Sequence, residues 1–211
     1  MAFGFPLCAC SRGEIVTTTS FRGSGTVFIY NPCVALTATI HNLDIDLADV
    51  DRGVYETLAL RMARQPSETL EYMLMRVFAY CLEFAEGILF TEGVAAGDEP
   101  AVLIRDLTGK ITAWIEVGMP EPARLHKGLK LAGRAAVYTH RDARKLLKDL
   151  AAAQISRLAD VPVYAFDRSM IEEVAGHLAR RNHLSLSLTE RELYLDIDGR
   201  SFTSTIVEHR F

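Results

Sequence analysis

The chain reads as an α/β (α+β) protein, a mixed β-sheet with flanking helices. Three observations predict this class. From about residue 34, strand-period and helix-period segments follow one another in the order β-β-α-β-β-β-α-β-α-β-α-β-β-β. The strand patterns at 135–139 and 161–166 are separated by a helical one, which favours parallel pairing through a right-handed crossover. Turn chemistry at Thr108-Gly109 and Asp198-Gly199 joins other strands as antiparallel hairpins.

The elements follow in order. Residues 1–33 contain Cys8, Cys10, Thr17–Thr19, Gly23, Gly25 and Asn31-Pro32 without a sustained period, and they read as a poorly ordered leader; Val27–Tyr30 is a short strand candidate. Residues 35–47 and 53–63 alternate as two strands joined through Asp49–Gly53. The clearest helix runs from Pro66 to about Glu86. Pro66 or Ser67 starts it, and Glu68 and Glu71 lie in its first turns, where the helix dipole favours carboxylates. Leu70, Met73, Leu74, Val77, Phe78, Cys81 and Leu82 form a one-sided apolar stripe. Glu71 falls at the edge of that stripe and Glu68 further towards solvent. A strand at Ile88–Thr91 and a loop holding Gly93 and Gly97 come next.

The stretch Gly97–Lys127 organises the rest. Two apolar runs, Ala101–Arg105 and Ile111–Val117, flank Asp106-Leu-Thr-Gly109 as a hairpin. Along the second strand Ile111, Ala113, Ile115 and Val117 point one way, and Thr112, Trp114, Glu116 and Gly118 the other. Asp98 and Glu99 precede the first strand, and Glu116 ends the second. On the helix that follows, from about Glu121 to Gly133, Arg124 and Lys127 stand i, i+3 and share a side. Carboxylates at adjacent strand ends with a lysine close by suit a divalent metal and a phosphodiester; the plainer reading is a salt-bridged strand-end glutamate. A strand at Ala135–Thr139, a helix from about Arg141 to Gln154, a strand at Val161–Phe166 and a helix from Ser169 to Arg180, capped by Asp167 or Ser169, lead to three closing strands, Leu184–Leu188, Glu192–Ile197 and Phe202–Val207.

Composition bounds the function. The chain has 211 residues, 49% hydrophobic and 24% charged, with net charge −4, which suits one domain from about 34 to 211. There is no global basic signature of nucleic-acid binding. The region 121–150, however, holds eight Lys and Arg (Arg124, Lys127, Lys130, Arg134, Arg141, Arg144, Lys145, Lys148) against Glu121, Asp142 and Asp149. Such a local basic face can steer a polyanion, so nucleic acid is a candidate partner over 124–148, as is a protein; the plainer reading is a solvated pair of helix surfaces. Four cysteines are too few for a disulfide framework, and Cys8-x-Cys10 has no zinc-like partner spacing. No run is long enough for a membrane span and no secretory pattern opens the chain, so a cytoplasmic location is expected. No phosphate-binding glycine loop, G-x-S-x-G elbow or H-E-x-x-H is present.

Pro66-Ser-Glu-Thr69, Asp98-Glu-Pro100, Trp114-Ile-Glu-x-Gly-x-Pro120 and Arg124-x-x-Lys127, in this order, resemble the motifs of the YaeQ family, a bacterial family. The resemblance covers roughly 34–211, and since members of that family begin where Val34 lies, residues 1–33 are read as a start-site extension. The family is similar in fold to the PD-(D/E)XK nuclease superfamily. The resemblance implies Glu71 or Glu68 as a helix acid, Asp98 (or Glu99 or Asp106) as the strand acid and Glu116 as the E of E-x-K. It implies Mg²⁺ or Mn²⁺ held by Asp98, Glu116 and Glu71, and phosphodiester hydrolysis. The pattern departs at Gly118, which stands where the lysine is expected; Lys127 is then the migrated ammonium and Arg124 a phosphate-binding residue. A non-enzymatic regulatory or interaction protein on the same fold is the alternative.

Overall fold

Among the described residues, eleven strands form two sheets, with four α-helices between and outside them. The computed structural model describes residues 38–91 and 99–211, and Ala38–Phe211 form one compact unit. The leader and the strand candidate at Val27–Tyr30 lie outside the described residues, as do Gly93, Gly97 and Asp98.

Strands β1 (Thr39–Asp49) and β2 (Val54–Arg64) form the first hairpin, in register from Thr39 opposite Arg64 to Asp49 opposite Val54. Gly53, at φ +67°, closes its turn in the left-handed region that glycine enters without steric cost. Helix α1 (Leu70–Leu82) follows, then β3 (Ile88–Phe90), β4 (Val102–Arg105) and β5 (Ile111–Val117). The remainder is α2 (Pro122–Leu131), β6 (Arg134–Thr139), α3 (Ala143–Ala152), β7 (Val163–Ala165), α4 (Arg168–His177), β8 (Arg181–Thr189), β9 (Glu192–Ile197), β10 (Arg200–Thr205) and β11 (Val207–His209). The order matches the sequence reading except that the last segment breaks at Ile206 into β10 and β11, which belong to different sheets.

The mixed α+β class holds, but the strands form two sheets where the pattern suggests one. One sheet runs β10-β9-β8-β1-β2, with β1 and β8 parallel; the other runs β11-β7-β6-β5-β4-β3, with β5, β6 and β7 parallel. This division explains a second difference. Helix α1 is buried nearly all round, with Met75, Arg76 and Ala79 inside as well as the expected stripe. Its core joins inner residues of the first sheet (Leu43, Ile45, Leu184) to Ala113, Ile115 and Val117 of the second, so the helix is sandwiched and needs no solvent-facing side. It also starts later than expected. Thr69 is the N-cap, its hydroxyl accepting from Tyr72 N at 3.2 Å, while Pro66 and Ser67 form a turn.

The opposite face of the second sheet carries a separate core. Trp114, Ala135, Val137 and Val163 meet Leu125 and Leu129 of α2 and Leu146 and Leu150 of α3. Helices α2 and α3 therefore lie on one face, and α1 and α4 on the other. Trp114 is 2% exposed, a burial worth about 4–6 kcal/mol at ~25 cal/mol per Å². Gly128 of α2 lies directly over its indole, where a β-carbon would overlap the ring.

Candidate functional site

The hairpin β4–β5 brings its carboxylates to one end. Val102 pairs with Ile115, so the backbone at Glu99 and Pro100 runs beside Glu116. Asp106 stands at the other end of the hairpin, in the turn, accepting from the Thr108 hydroxyl (2.6 Å), Thr108 N (2.9 Å) and Lys110 N (3.0 Å); these bonds, the hydroxyl's first, hold its carboxyl below the usual range. It is a turn-forming residue remote from Glu116.

Glu116 is 2% exposed. Strand alternation puts it on the Trp114 face, as expected, but that face is covered by α2. Trp114 Nε1 donates to Glu116 Oε1 at 2.9 Å. Arg124, one turn into α2, donates Nε to the same oxygen at 3.2 Å and Nη2 to Oε2 at 3.3 Å. The same Nη2 donates to the Glu99 carbonyl at 2.5 Å. Arg124 thus ties the chain just after Asp98 to the end of β5. Burial raises the Glu116 carboxyl above the usual carboxylate range, against the pull of Arg124 and the Trp114 hydrogen bond. Lys127 is half-buried on the same helix and has an interaction partner.

The two helix acids separate. Glu68 is 2% exposed, not turned to solvent, because it precedes the helix and folds back into a turn. Its Oε2 accepts from Gln65 N at 3.2 Å and its Oε1 from Arg76 Nη1 at 3.0 Å. Arg76 also donates to the Thr91 carbonyl at 2.7 Å and lies over the Phe90 ring, 5.5 Å from its centre. Tyr72 links the two carboxylates: Glu116, Glu68, Arg76 and Arg124 all act on its hydroxyl, which burial pushes up, and its ring faces Gly118. Gly118, where a lysine was expected, has φ +84°, a left-handed conformation that disfavours a side chain.

Glu71 points elsewhere. It stands half-buried beside Thr69, His140, Arg141, Arg168 and Glu172, with its carboxyl lowered by its own backbone N–H and the Thr69 hydroxyl. The His140 imidazole is pushed below its usual range by burial first and by Arg141 next. His140, Arg141 and Arg168 carry no motif; the only signal in the sequence is a basic residue between a strand and a helix beside the helix cap, Arg141 just before Asp142 and Arg168 just after Asp167.

Among the described residues no group of three His, Cys, Asp or Glu is placed to hold a metal ion, and no helix is long and apolar enough to cross a membrane.

Comparison with known proteins agrees with these motifs. The family model described as YaeQ protein matches residues 34–206. The chain is 30% identical over 166 residues to the uncharacterized protein YaeQ of Escherichia coli (strain K12), covering 78% of this chain and 92% of that one. It is 29% identical over 169 residues to the uncharacterized YaeQ of Salmonella typhi, covering 80% and 93%. Two crystal structures superpose on it: the YaeQ protein of Pseudomonas syringae (TM-score 0.77, 28% identity, 82% of this chain and 97% of that one) and that of Xanthomonas axonopodis pv. citri (TM-score 0.76, 28% identity, 82% and 99%). With the motif order, the strand-end glutamate and its arginine all in place, the chain belongs to the YaeQ family.

Proposed function

We propose that this protein keeps a nuclease-like fold as an interaction protein for nucleic acid, acting by binding and not by metal-assisted hydrolysis. One observation carries the reading: the Glu116 carboxylate is buried and both its oxygens are engaged by Trp114 and Arg124. Mg²⁺ and Mn²⁺ take carboxylate oxygens and keep several waters. At Glu116 a guanidinium occupies the carboxylate, and at Glu68 another does. These donors do not fit such an ion.

The partner follows from charge. Arg144, Lys145 and Lys148 are exposed on α3, with Arg141 just before it and Lys130 and Arg134 nearby in sequence. Exposed cations neutralise phosphates and release counterions, whatever the base sequence. A cytoplasmic location belongs to this reading. Its test is binding of labelled single- and double-stranded DNA and RNA across a salt series. Affinity should fall steadily with salt, Arg144→Glu with Lys148→Glu should abolish it, and the nucleic acid should stay intact in Mn²⁺. Absence of binding at low salt contradicts it.

A second reading, a Mg²⁺- or Mn²⁺-dependent nuclease acting on phosphodiesters, is favoured by one geometric fact. Glu68, Glu116 and the backbone following Asp98 converge around Tyr72 and Arg124. It assigns Asp98, Glu116 and a helix acid (Glu68 in preference to Glu71) to the ion, Lys127 to the developing charge and Arg124 to a phosphate. Cleavage in Mn²⁺ that is lost in Glu116→Gln would establish it.

A further inference from the structure

The second sheet has a topological switch point away from Glu116. Strands β6 and β7 are neighbours and parallel. The chain leaves β6 for α3 on the Trp114 face, and leaves β7 for α4 on the α1 face. The crevice beyond the carboxyl ends of two such strands is where open α/β sheets bind ligands, because diverging connections leave a gap there. Here a cleft of about 300 Å³ opens at that place. His140 and Arg141, just past β6, and Arg168 and Glu172, at the start of α4, line it with Thr69 and Glu71 at the start of α1.

Two features of this cleft point to a ligand. His140 is 7% exposed, and its Nδ1, itself buried, has no hydrogen-bond partner among the described residues. The Arg141 guanidinium is exposed and forms no hydrogen bond or ion pair with another described residue; Glu71 and His140 are its electrostatic neighbours. The N-terminal ends of α1 and α4 meet at the same rim, where the helix dipoles favour an anion; Thr69 and Asp167 accept from Tyr72 N and Met170 N there, and the Glu71 carboxyl from its own backbone N–H. The charges are mixed. Arg168 Nε donates to Glu172 Oε1 at 2.7 Å, and its other nitrogens have no partner among the described residues. Glu71 adds a carboxylate that repels a bare anion but accepts from a hydroxyl.

We propose that this cleft binds a phosphate monoester carrying free hydroxyl groups, the phosphate on Arg141, Arg168 and His140 and a hydroxyl on Glu71. The ligand is a sugar phosphate or the 5′-phosphorylated end of an oligonucleotide, which share this chemistry. The site uses neither Glu116 nor Arg144, Lys145 and Lys148 of α3 and shares only Arg141 with the basic face, so Arg144→Glu with Lys148→Glu, which tests the nucleic-acid reading, leaves it intact.

Calorimetric titration of the full chain with ribose 5-phosphate, inorganic phosphate and ribose tests it. Ribose 5-phosphate should bind saturably, inorganic phosphate more weakly and ribose not at all. Arg141→Gln should weaken the sugar phosphate about tenfold or more, the loss of a charge-assisted hydrogen bond. Arg181→Gln, an exposed cation on β8, should leave it unchanged. Glu71→Gln should weaken ribose 5-phosphate but not inorganic phosphate. A 5′-phosphorylated dinucleotide binding more tightly than ribose 5-phosphate assigns the ligand to an oligonucleotide end; the reverse order assigns it to a free sugar phosphate. Failure of both to bind, binding of ribose or of a 5′-hydroxyl dinucleotide as tight as that of its phosphorylated form, or equal loss in Arg141→Gln and Arg181→Gln overturns the proposal. Amide shifts at Thr69, His140 and Arg168 on adding ribose 5-phosphate locate the site without any variant, and shifts confined elsewhere overturn it equally.

Discussion

Trp114 donates its indole N–H to Glu116, two residues further along the same strand and on the same face, and α2 seals the pair from solvent. The glutamate is therefore fixed from its own strand by a neutral donor and from the next helix by the Arg124 cation. Removing that cation leaves a buried carboxylate with one neutral donor. Arg124→Gln should cost about 2 kcal/mol at neutral pH, measured by chemical denaturation.

The same variant should show a pH signature. Burial already raises the folded Glu116 carboxyl above its ordinary 4.5. The folded state then holds the proton more tightly than the unfolded one. This group's contribution is full below 4.5 and is lost as pH rises through the folded value. Without Arg124 the folded value climbs further, so the deficit of Arg124→Gln should be largest at neutral pH and shrink towards pH about 5. A deficit constant across that range contradicts the assignment.

Gly128 is a packing prediction. Its backbone rests on the Trp114 ring, and a methyl group there meets the indole. Gly128→Ala gains helix propensity yet should destabilise by about 1–3 kcal/mol through overpacking, with a shift in tryptophan emission. An unchanged or raised melting temperature contradicts the contact.

Much of this was legible beforehand. The hairpin announced itself through Asp106-Leu-Thr-Gly109, where Asp106 bonds the turn and Gly109 takes φ +84°. The alternation of Trp114 and Glu116 against Ile115 and Val117 followed from the pleat alone. Whether the Trp114 face would be open or covered did not follow, because period states which residues share a face and not what packs on it. The same gap hid the second sheet. The pairing of β1 with β8 joins residues far apart in sequence, and no local signal specifies it. A helix starting at Pro66 places Glu68 towards solvent. With Thr69 as the cap, Glu68 turns inward to Arg76.

The Glu68–Arg76 pair should behave as a buried ion pair. Their side chains are 0% and 3% exposed. Arg76→Ala should cost about 3–5 kcal/mol by stranding Glu68, whereas Glu68→Leu with Arg76→Met should recover most of it. Thermal denaturation of the two variants beside the parent chain checks this; a double variant no better than Arg76→Ala alone refutes it.

On the proposed reading, Glu116 is an arginine-held structural carboxylate and not a metal ligand. Calorimetric titration of Mn²⁺ and Mg²⁺ into the full chain, beside Glu116→Gln and Asp98→Ala, tests it most directly. The account predicts no saturable binding to any of the three. Saturable binding to the parent chain that both substitutions abolish would contradict it and return Glu116 to a metal centre.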